Sequence, residues 1–225
     1  MNSLIILRQI VGHVRRVGCC PISIFQFIYY NYFSKHVRNN YRKDVLFIPY
    51  RRCRLKFCAD SIIVLDGKLE LGIPSSPKSN RFSYLYMKEK SKIIVHNNCS
   101  ILDDFDIQIH KGGIWEIYSF HSNTGLEVSC GNTIEMKGDV TCGRHVRIKD
   151  FNGHYVSSPH YPLSAPILID DHVWLCTGCT INPGVHVGSG SVIADNSNVV
   201  DDVEPYTFNQ GNPSVIVDRN IEFKI

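Results

Sequence analysis

The sequence contains no run of about 18 or more apolar residues, the length that a membrane-spanning helix needs. The longest candidate, residues 21–33, is shorter than that and is interrupted by Gln26 and Asn31. A secretory signal is also absent, because arginines interrupt the first apolar stretch and no small-residue cleavage site follows it. These absences argue against a membrane-spanning protein, and we expect a cytoplasmic one with reduced thiols.

Acidic residues are scarce at one end of the chain. Residues 1–60 contain 11 Lys and Arg but only two acids, Asp44 and Asp60, whereas the remaining residues contain 13 basic and 19 acidic ones. The formal net charge of +3 for all 225 residues therefore conceals a net charge of +9 at the N-terminal end. This asymmetry favours an anionic partner surface, or an acidic neighbouring subunit, for residues 1–60.

A second C-x-x-C motif is absent, although Cys176 and Cys179 form one. A four-thiolate zinc site needs two such pairs. The nine cysteines are an odd number, spread over a chain too long to be a disulfide-stapled scaffold. We therefore interpret Cys179 as a compact side chain at a small-residue position of a repeat, and we expect neither a metal site nor a redox disulfide at this pair.

A period of six residues runs through the C-terminal part of the chain. Branched aliphatic residues recur at every sixth position: Ile169, Leu175, Ile181, Val187, Ile193 and Val199. Four residues after each of them comes a small or β-branched residue: Val173, Cys179, Val185, Ser191, Ser197 and Val203. A helix has a period of 3.6 and a plain strand has a period of 2. A period of six instead predicts short strands joined by tight corners, wound as a parallel β-helix with three six-residue sides per coil.

The same period appears earlier in the chain, at Met136, Cys142 and Ile148. Its phase changes between Ile148 and Ile169, which are 21 residues apart and therefore not separated by a multiple of six. The segment between them is rich in Ser, Pro and Gly, so residues 149–168 are predicted to form a loop that protrudes from the coil. Loops on rigid scaffolds are common places for catalytic residues.

Residues 3–17 are predicted to form a basic amphipathic helix, with apolar side chains on one face and arginines on the other. One interpretation is a lid over the open end of the β-helix, which would otherwise expose strand edges. The alternative is a helix that lies on an anionic membrane surface. The predicted organisation is a basic segment 1–60, a β-helix domain 61–217 and a tail 218–225.

Residues 169–213, which begin "IDDHVWLCTGCTINPGVHVG" and end "GNP", resemble the C-terminal signature of the hexapeptide-repeat acyltransferases. That family consists of left-handed parallel β-helix enzymes that use acetyl-CoA. Upstream, "SIFQFIYYNYF" and "GKLELG" resemble the N-terminal part of bacterial polysaccharide O-acetyltransferases. The resemblance implies a homotrimer with active sites in clefts between neighbouring β-helices. It also implies acetyl transfer to a sugar hydroxyl of a surface polysaccharide, its precursor or a related glycan, with no nucleic-acid partner.

The resemblance also implies a catalytic histidine. In the polysaccharide subgroup the general base lies in a D-x-D-G-H stretch, which residues 150–154 match except that Asn152 replaces the second aspartate. His154 would then take the acceptor's proton, and Asp150 or Asn152 would orient its ring. An imidazole suits this task because its pKa lies near 6.5. His160 in the same loop and His172 are the other candidates for the base.

For acetyl-CoA, the resemblance implies contacts along one edge of the repeats and at the C-terminal loop. The residues implied are Trp174, Thr177, Gly178, Asp195, Asn196, Gly211, Asn212 and Pro213. The family's frequent lysines are replaced here by Asp201 and Val215, which leaves Arg219 as the nearest cation for the 3′-phosphate. The loss of two cations would weaken CoA binding unless a neighbouring subunit supplies others.

Three alternatives stay open at this point. The first is an N-acetyltransferase that acts on an amino sugar or nucleotide-sugar. The second is a γ-type carbonic anhydrase, which needs three histidines that converge on zinc, but His145, His154 and His172 are irregularly spaced for it. The third is a non-catalytic trimeric scaffold, which the departures from the family's pattern motivate.

Overall fold

The computed structural model describes residues 3–39, 46–158 and 161–224. The candidate base His160 and the basic residues Arg42 and Lys43 lie outside these described residues. The described part of the chain contains two helices, α1 (Ser3–Val17) and α2 (Pro21–Tyr32), followed by 21 short strands. The predicted mainly β architecture and the predicted helix over residues 3–17 are both confirmed.

The strands follow one another in coils of three sides. The first coil contains β1 (Val37–Asn39), β2 (Phe47–Pro49) and β3 (Cys53–Phe57), and the second contains β4 (Ile62–Leu65), β5 (Leu69–Ile73) and β6 (Ser83–Met87). The third contains β7 (Lys92–Val95), β8 (Cys99–Leu102) and β9 (Asp106–Ile109). In the fourth and fifth coils, β10 (Ile114–Ser122) and β12 (Thr133–Cys142) each span two sides, and β11 (Glu127–Cys130) and β13 (Arg147–Lys149) form the third.

The last coils are shorter and more regular. The sixth contains β14 (Ile167–Ile169), β15 (Val173–Leu175) and β16 (Thr180–Ile181), and the seventh contains β17 (His186–Val187), β18 (Val192–Ile193) and β19 (Asn198–Val199). A hairpin of β20 (Thr207–Gly211) and β21 (Ser214–Arg219) follows them.

Parallel pairing between successive coils stacks the strands into three faces. Face 1 contains β1, β4, β7, β14, β17 and the first halves of β10 and β12. Face 2 contains β2, β5, β8, β15, β18, β20 and the second halves of β10 and β12. Face 3 contains β3, β6, β9, β11, β13, β16 and β19. The chain is therefore a parallel β-helix, as the period of six predicts.

The period of six reflects the packing of the coil interior. In the sixth and seventh coils, paired residues such as Leu168 and His186 are 18 positions apart, which is three times six. Every aliphatic residue in the series from Ile169 to Val199 has an exposure of 1% or less. Ser191 and Ser197, in the second series, are equally buried at 0% and 1%. The sides of the coil are so close together that only compact or branched side chains fit inside.

The C-x-x-C pair follows the same packing rule. Cys179 is completely buried at its small-residue position, and Cys176 is half-buried beside it. Burial raises the pKa of Cys176 to about 11 and that of Cys179 to about 12, so both thiols are protonated near neutral pH. The interpretation of Cys179 as a compact core residue is confirmed by its burial.

The N-terminal end of the β-helix is covered by a helical hairpin, of which only α1 was predicted. Phe27 of α2 is fully buried against Ile48 and Tyr50 of the first coil. The Asn31 side-chain amide donates to the Phe47 carbonyl at 2.7 Å and accepts from the Phe47 N–H at 3.0 Å, which satisfies a strand edge. α2 therefore lies directly on the first coil, and α1 packs against α2.

Pairing with the stacked faces begins before residue 61. Strands β1, β2 and β3 all lie within residues 1–60 and pair in parallel with β4, β5 and β6. The N-terminal basic segment thus contains both the helical hairpin and the first coil, while the division of the chain into domains stays a prediction. Neither helix of the described chain, α1 or α2, is long and apolar enough to cross a membrane.

Candidate active site

The loop predicted over residues 149–168 runs from the end of β13 on face 3 to the start of β14 on face 1. Asp150 is buried at the base of this loop. The Asp150 carboxylate is fully buried and accepts hydrogen bonds from the backbone N–H groups of Gly131 (2.5 Å) and Asn132 (2.9 Å). Burial raises the pKa of Asp150, and these two hydrogen bonds oppose the shift. Asp150 therefore holds the preceding turn in place.

Asn152 ties the two ends of the loop together. Its backbone N–H donates to the Leu163 carbonyl at 2.8 Å, and its side-chain amide donates to the Pro162 carbonyl at 2.7 Å. Neither Asn152 nor Asp150 contacts the His154 ring among the described residues. The contacts of both side chains hold the loop in place, and the ring-orienting role that the resemblance implies for them stays a prediction.

His154 lies beyond this base, on the exposed part of the loop. It follows Gly153, whose φ of +78° turns the chain outward in a conformation that favours glycine. Among the residues that the structure describes, no hydrogen-bond partner of the His154 ring is found. A neutral imidazole in this setting has a free lone pair for the proton of an acceptor group.

A pocket of about 320 Å³ opens on face 3 beside the loop. Its walls include Gln108 of β9, His110 directly after β9, Ser129 of β11 and Lys149 of β13. Gly153 lines one side, and His154 follows it directly in the chain. The pocket is open, and most of its lining residues carry polar or charged side chains that could orient a hydroxylated acceptor.

His110 lines this pocket and was not predicted from the sequence. Its Nδ1 lies 3.0 Å from Lys88 Nζ, and its Nε2 lies 3.1 Å from Ser129 Oγ. Because a lysine ammonium only donates, Nδ1 accepts and Nε2 carries the proton. Burial lowers the pKa of His110, and the charge of Lys88 lowers it further. Its lone pair is already engaged, so His110 shapes the pocket and is not placed as a base.

Most residues predicted to bind acetyl-CoA lie in one column along the corner between faces 2 and 3. Gly178 has a φ of +72°, and an added Cβ there would lie 2.4 Å from Asn196 Oδ1 of the next coil. The Asn196 N–H donates to the Thr177 carbonyl at 2.8 Å. One level further, the Gly211 N–H donates to Ser197 Oγ at 3.1 Å. We call this column of residues 177–178, 195–196 and 211–213 the donor corner.

Trp174 precedes the donor corner on face 2 and is 37% exposed. Phe223, in the C-terminal tail, stacks on His172 at 4.3 Å between ring centres and lies 6.1 Å from the centre of the Trp174 ring. His172 Nε2 also lies 3.1 Å from the Phe223 carbonyl oxygen. His172 thus packs against the C-terminal tail, at the corner between faces 1 and 2 and away from the pocket.

Arg219 is not part of the donor corner. It pairs with Thr207 at the end of the β20–β21 hairpin that is opposite Gly211, and its guanidinium forms an ion pair with Glu204. The role of Arg219 as the nearest cation for the 3′-phosphate stays a prediction, with Glu204 as a competing partner of its guanidinium. Exposed Arg144 lies at the donor corner one coil earlier, where its carbonyl accepts from the Gly178 N–H at 2.7 Å.

Arg144 was not predicted from the sequence, because the loop insertion at residues 149–168 hides how its coil aligns with the next. If residues 150–166 are left out of the count, the spacing between paired residues of these two coils is close to the regular 18. Arg144 then lies one coil before Gly178. A cation in this column has the charge that the phosphates of CoA require.

The pocket spans face 3, whereas the loop that carries His154 and the donor corner lie at opposite edges of this face. The loop that carries His154 leaves from the edge shared with face 1, whereas Gly178 and Asn196 lie at the edge shared with face 2. A side of six residues spans about 20 Å in extended conformation. One chain therefore holds its base and its predicted donor site apart.

Among the described residues, no group of three or more His, Cys, Asp or Glu side chains is close enough together to hold a metal ion. In particular, His172 packs on Phe223 and His154 stands on the loop, so these two histidines of the zinc alternative do not converge. The three converging histidines that a γ-type carbonic anhydrase needs to hydrate carbon dioxide are therefore not found among the described residues.

The sequence has clear relatives among known acetyltransferases. The putative acetyltransferase YJL218W of Saccharomyces cerevisiae is 39% identical over 143 residues, which cover 60% of this chain and 72% of that protein. The probable macrolide acetyltransferase of Lysinibacillus sphaericus is 42% identical over 67 residues, or 28% of this chain and 37% of the relative. The putative colanic acid biosynthesis acetyltransferase WcaF of Escherichia coli is 31% identical over 91 residues, or 38% and 50%.

The chain spans half or less of the length of the last two relatives. No protein-family model matches the sequence. Among solved structures, that of the polySia-specific acetyltransferase NeuO aligns with 84% of this chain and 88% of its own, at a TM-score of 0.48 and 21% identity. That likeness is too weak to establish a shared function.

The parallel β-helix, with its 18-residue spacing between the sixth and seventh coils, defines the class of protein. The yeast relative adds acetyltransferase sequence similarity over nearly three quarters of its length. The chain belongs to the hexapeptide-repeat acetyltransferase family, as its sequence resemblance implies.

Proposed function

We propose that the protein transfers an acetyl group from acetyl-CoA to a sugar hydroxyl of a surface polysaccharide, its precursor or a related glycan. The observation that supports this most directly is the imidazole of His154, which is exposed on the loop directly after the pocket residue Gly153, in a member of an acetyltransferase family. His154 is the proposed general base.

The proposed reaction is a direct attack without an acyl-enzyme. The acceptor's hydroxyl gives its proton to the free nitrogen of His154 while its oxygen forms a bond to the thioester carbonyl carbon. The carbon–sulfur bond then breaks, and the imidazolium returns the proton to the CoA thiolate. The products are an acetyl ester and CoA, and the histidine is restored to its neutral form.

The proposed donor site is the donor corner, with Arg144 near the phosphates and Trp174 beside the pantetheine. Because His154 and this corner lie on opposite edges of face 3 in one chain, we propose a homotrimer in which each active site combines the loop of one subunit with the donor corner of its neighbour.

Replacement of His154 tests the proposed base. We expect His154→Ala to lower kcat by about 10²–10⁴-fold, the usual contribution of general base catalysis. His121→Ala is the matched control, because His121 is exposed on face 2 and its ring contacts Ser100 Oγ at 2.8 Å, away from the loop. Full turnover by His154→Ala at pH 7 would show that the mechanism is wrong. An alkali-labile product indicates an ester, whereas an alkali-stable product indicates N-acetylation.

We also propose that the helical hairpin rests on an anionic membrane surface at the cytoplasmic side. Large apolar side chains recur on its outer surface with helical spacing: Leu7, Val11, Ile22, Phe25, Tyr29 and Phe33, with exposures between 41% and 76%. The opposite sides of both helices, at His13 and Phe27, are buried. Arg8 and Arg15 are exposed beside the apolar row of α1, which complements anionic lipid headgroups.

Vesicle sedimentation tests this surface. Wild-type protein should sediment with vesicles that contain phosphatidylserine and much less with neutral phosphatidylcholine vesicles. Phe25→Ser combined with Phe33→Ser should abolish sedimentation, whereas Tyr118→Ser, at another exposed aromatic residue, should leave it unchanged. Equal sedimentation of all three proteins, or none with either vesicle, contradicts the proposal.

A further inference from the structure

A row of aromatic rings covered by cations lies on the outer surface of face 3, at the end of the β-helix nearest the helical hairpin. We call it the cation–ring strip, and it consists of Arg52, Arg54, Lys56, Phe82, Tyr84, Tyr86 and Lys88. The Arg54 guanidinium carbon lies 4.8 Å from the centre of the Phe82 ring and 5.6 Å from that of Tyr84. Lys56 Nζ lies 4.5 Å from the Tyr86 ring centre.

The strand register places these side chains outside the core. Arg54 pairs with Tyr84 and Lys56 with Tyr86, while the alternate residue Leu85 points into the coil with 1% exposure. Phe82 and Tyr84 remain 42% and 43% exposed. Exposed cation–π pairs contribute only about 0.5–1 kcal/mol each, so fold stability alone does not account for two large exposed rings side by side.

The cations of the strip have no carboxylate partner among the described residues. Arg52 donates to the Asn80 carbonyl at 2.9 Å, and Lys88 contacts His110, but none of the four cations takes part in an ion pair of the described chain. By contrast, neighbouring Arg81 pairs with Asp104 at 2.9 Å. The strip therefore carries positive charge that is held in place on rings and is available to an external anion.

The strip is continuous with the pocket beside the loop. In the next strand, Asp106 pairs with Tyr84 and Gln108 with Tyr86, and both residues line the pocket. Further strands bring Arg147 and Lys149 into the same two rows. From β3 to β13 there are four steps between adjacent strands, or about 19 Å at the usual spacing. The row ends at the loop that carries His154.

The charges along this path favour an anion. The six cations that face it are the four of the strip together with Arg147 and Lys149. The carboxylates that face it are Asp106 and Glu127, and Glu127 is neutralised by Arg147 at 2.7 Å. Aromatic rings pack against the C–H faces of sugar rings, and arginine and lysine bind carboxylates. Alternation of the two matches a chain of acidic sugars.

We propose that the cation–ring strip binds a carboxylate-bearing oligosaccharide and leads it along face 3 to His154. The acceptor is then an acidic glycan rather than a neutral one. This inference rests on the proposed function only in treating the glycan as the acceptor of the acetyl group. The strip would bind the same glycan without acetyl transfer.

Calorimetry with the full chain tests the binding. The probes are an oligomer of galacturonic acid and a neutral oligomer of galactose of the same length. We expect binding of the acidic oligomer that weakens at high salt, and at least tenfold weaker binding of the neutral one. Arg54→Gln combined with Lys56→Gln should weaken binding of the acidic oligomer at least tenfold, and Tyr84→Ala should weaken it several-fold. Arg54→Lys, which keeps the charge, should retain most of it.

Lys92→Gln combined with Lys137→Gln is the matched control, because both lysines are exposed away from face 3 and their loss changes the net charge equally. Equal binding of both oligomers, or equal losses in the control, would overturn the proposal. Tighter binding of a single-stranded oligonucleotide would identify a nucleic-acid site instead. A changed oligomeric state of the Arg54→Gln, Lys56→Gln protein by light scattering would identify a subunit interface instead.

An acetylation assay separates failure of this inference from failure of the proposed function. If the acidic oligomer binds through the strip but no ester forms, the strip is correct and the transfer reaction is wrong. If the neutral oligomer is acetylated as fast as the acidic one, and the strip variants do not change the rate, the transfer reaction is correct and the strip is wrong.

Discussion

Asp150 and His154 are four positions apart and have opposite surroundings. Asp150 is fully buried, with its carboxylate between two backbone N–H groups, whereas His154 is exposed and its ring has no partner among the described residues. A motif that joins an acid and a histidine therefore contains two separate functions here. One residue shapes the base of the loop, and the other stands ready for chemistry.

Replacement of Asp150 should affect stability more than chemistry. Asp150→Ala leaves the N–H groups of Gly131 and Asn132 without their acceptor, and we expect a loss of about 2–4 kcal/mol in the free energy of unfolding. Denaturant unfolding measures this loss. The turnover of the remaining folded enzyme should stay within severalfold of wild type at low temperature. A large loss of kcat without loss of stability would instead restore Asp150 as a partner of the base.

Arg144 and Arg219 give a matched pair of arginines for the donor site. Arg144→Gln should raise KM for acetyl-CoA about tenfold with little change in kcat, because a charge-assisted contact to phosphate contributes about 1.5–3 kcal/mol. Arg219→Gln should change KM much less, since Arg219 is already paired with Glu204. Steady-state kinetics with varied acetyl-CoA separates the two. The opposite ranking would return the donor's phosphates to the β20–β21 hairpin.

These residues show how far sequence reasoning extends at a site. The D-x-x-G-H stretch located the loop histidine and the glycine that turns it outward, because those features are local in the chain. It did not distinguish a buried carboxylate from a catalytic one, because the burial of Asp150 depends on the distant turn at Gly131 and Asn132. His110 was missed for the same reason: only the register of β9 with β11 brings it beside Ser129.

At the scale of elements, the helical hairpin depends on one buried histidine. The His13 ring stacks on Phe27 at 4.3 Å between ring centres, and its Nε2 lies 3.0 Å from Ser23 Oγ. Burial and, to a smaller extent, the charge of Arg16 together lower the pKa of His13 to about 4, although the hydrogen bond with Ser23 opposes the shift. The histidine is therefore neutral in the folded hairpin at neutral pH.

This burial predicts a pH dependence of stability. Between pH 6.5 and about 4 the unfolded chain binds a proton at His13 and the folded chain does not, so the free energy of unfolding falls as the pH falls through this window. The slope is at most about 1.4 kcal/mol per pH unit, and above pH 6.5 this group adds no slope. Thermal unfolding of His13→Gln should lack that part of the slope.

His121→Gln is the control for this measurement, because His121 is exposed. It should keep the wild-type dependence on pH. If His13→Gln and wild type lose stability equally between pH 6.5 and 4, then His13 is not the group responsible.

At the scale of the whole molecule, the β-helix keeps the base and the donor corner on opposite edges of face 3. A shared site in a trimer predicts that two defective chains restore each other. His154→Ala has an intact donor corner, whereas Gly178→Val fills the space beside Asn196 and leaves the loop unchanged. Trimers assembled from both variants after mild dissociation should regain activity that neither variant has alone.

The control for this experiment is each variant carried through the same dissociation and reassembly by itself. Light scattering should show three chains per particle. No recovery in mixed particles whose composition is confirmed by mass spectrometry would place the base and the donor site within one chain.

The sequence by itself determined the coil. A triangular β-helix buries one compact or branched side chain at each repeat of six, so the pattern from Ile169 to Val199 is visible without any knowledge of distant contacts. The protruding loop was equally visible, as a break in that period. Both features are local, and local patterns are what a linear sequence records.

Only the tertiary structure decided which side chains meet across coils. The spacing between paired residues varies from 33, for Arg147 and Thr180, to 16, for Val192 and Phe208, because loops enlarge some coils and not others. Arg144 beside Gly178, Arg54 over Tyr84 and Lys88 beside His110 all follow from this variable register. The helix α2 was likewise recognisable only from the open coil end that it covers. Contacts between coils depend on how much chain lies between them, and that length obeys no fixed period.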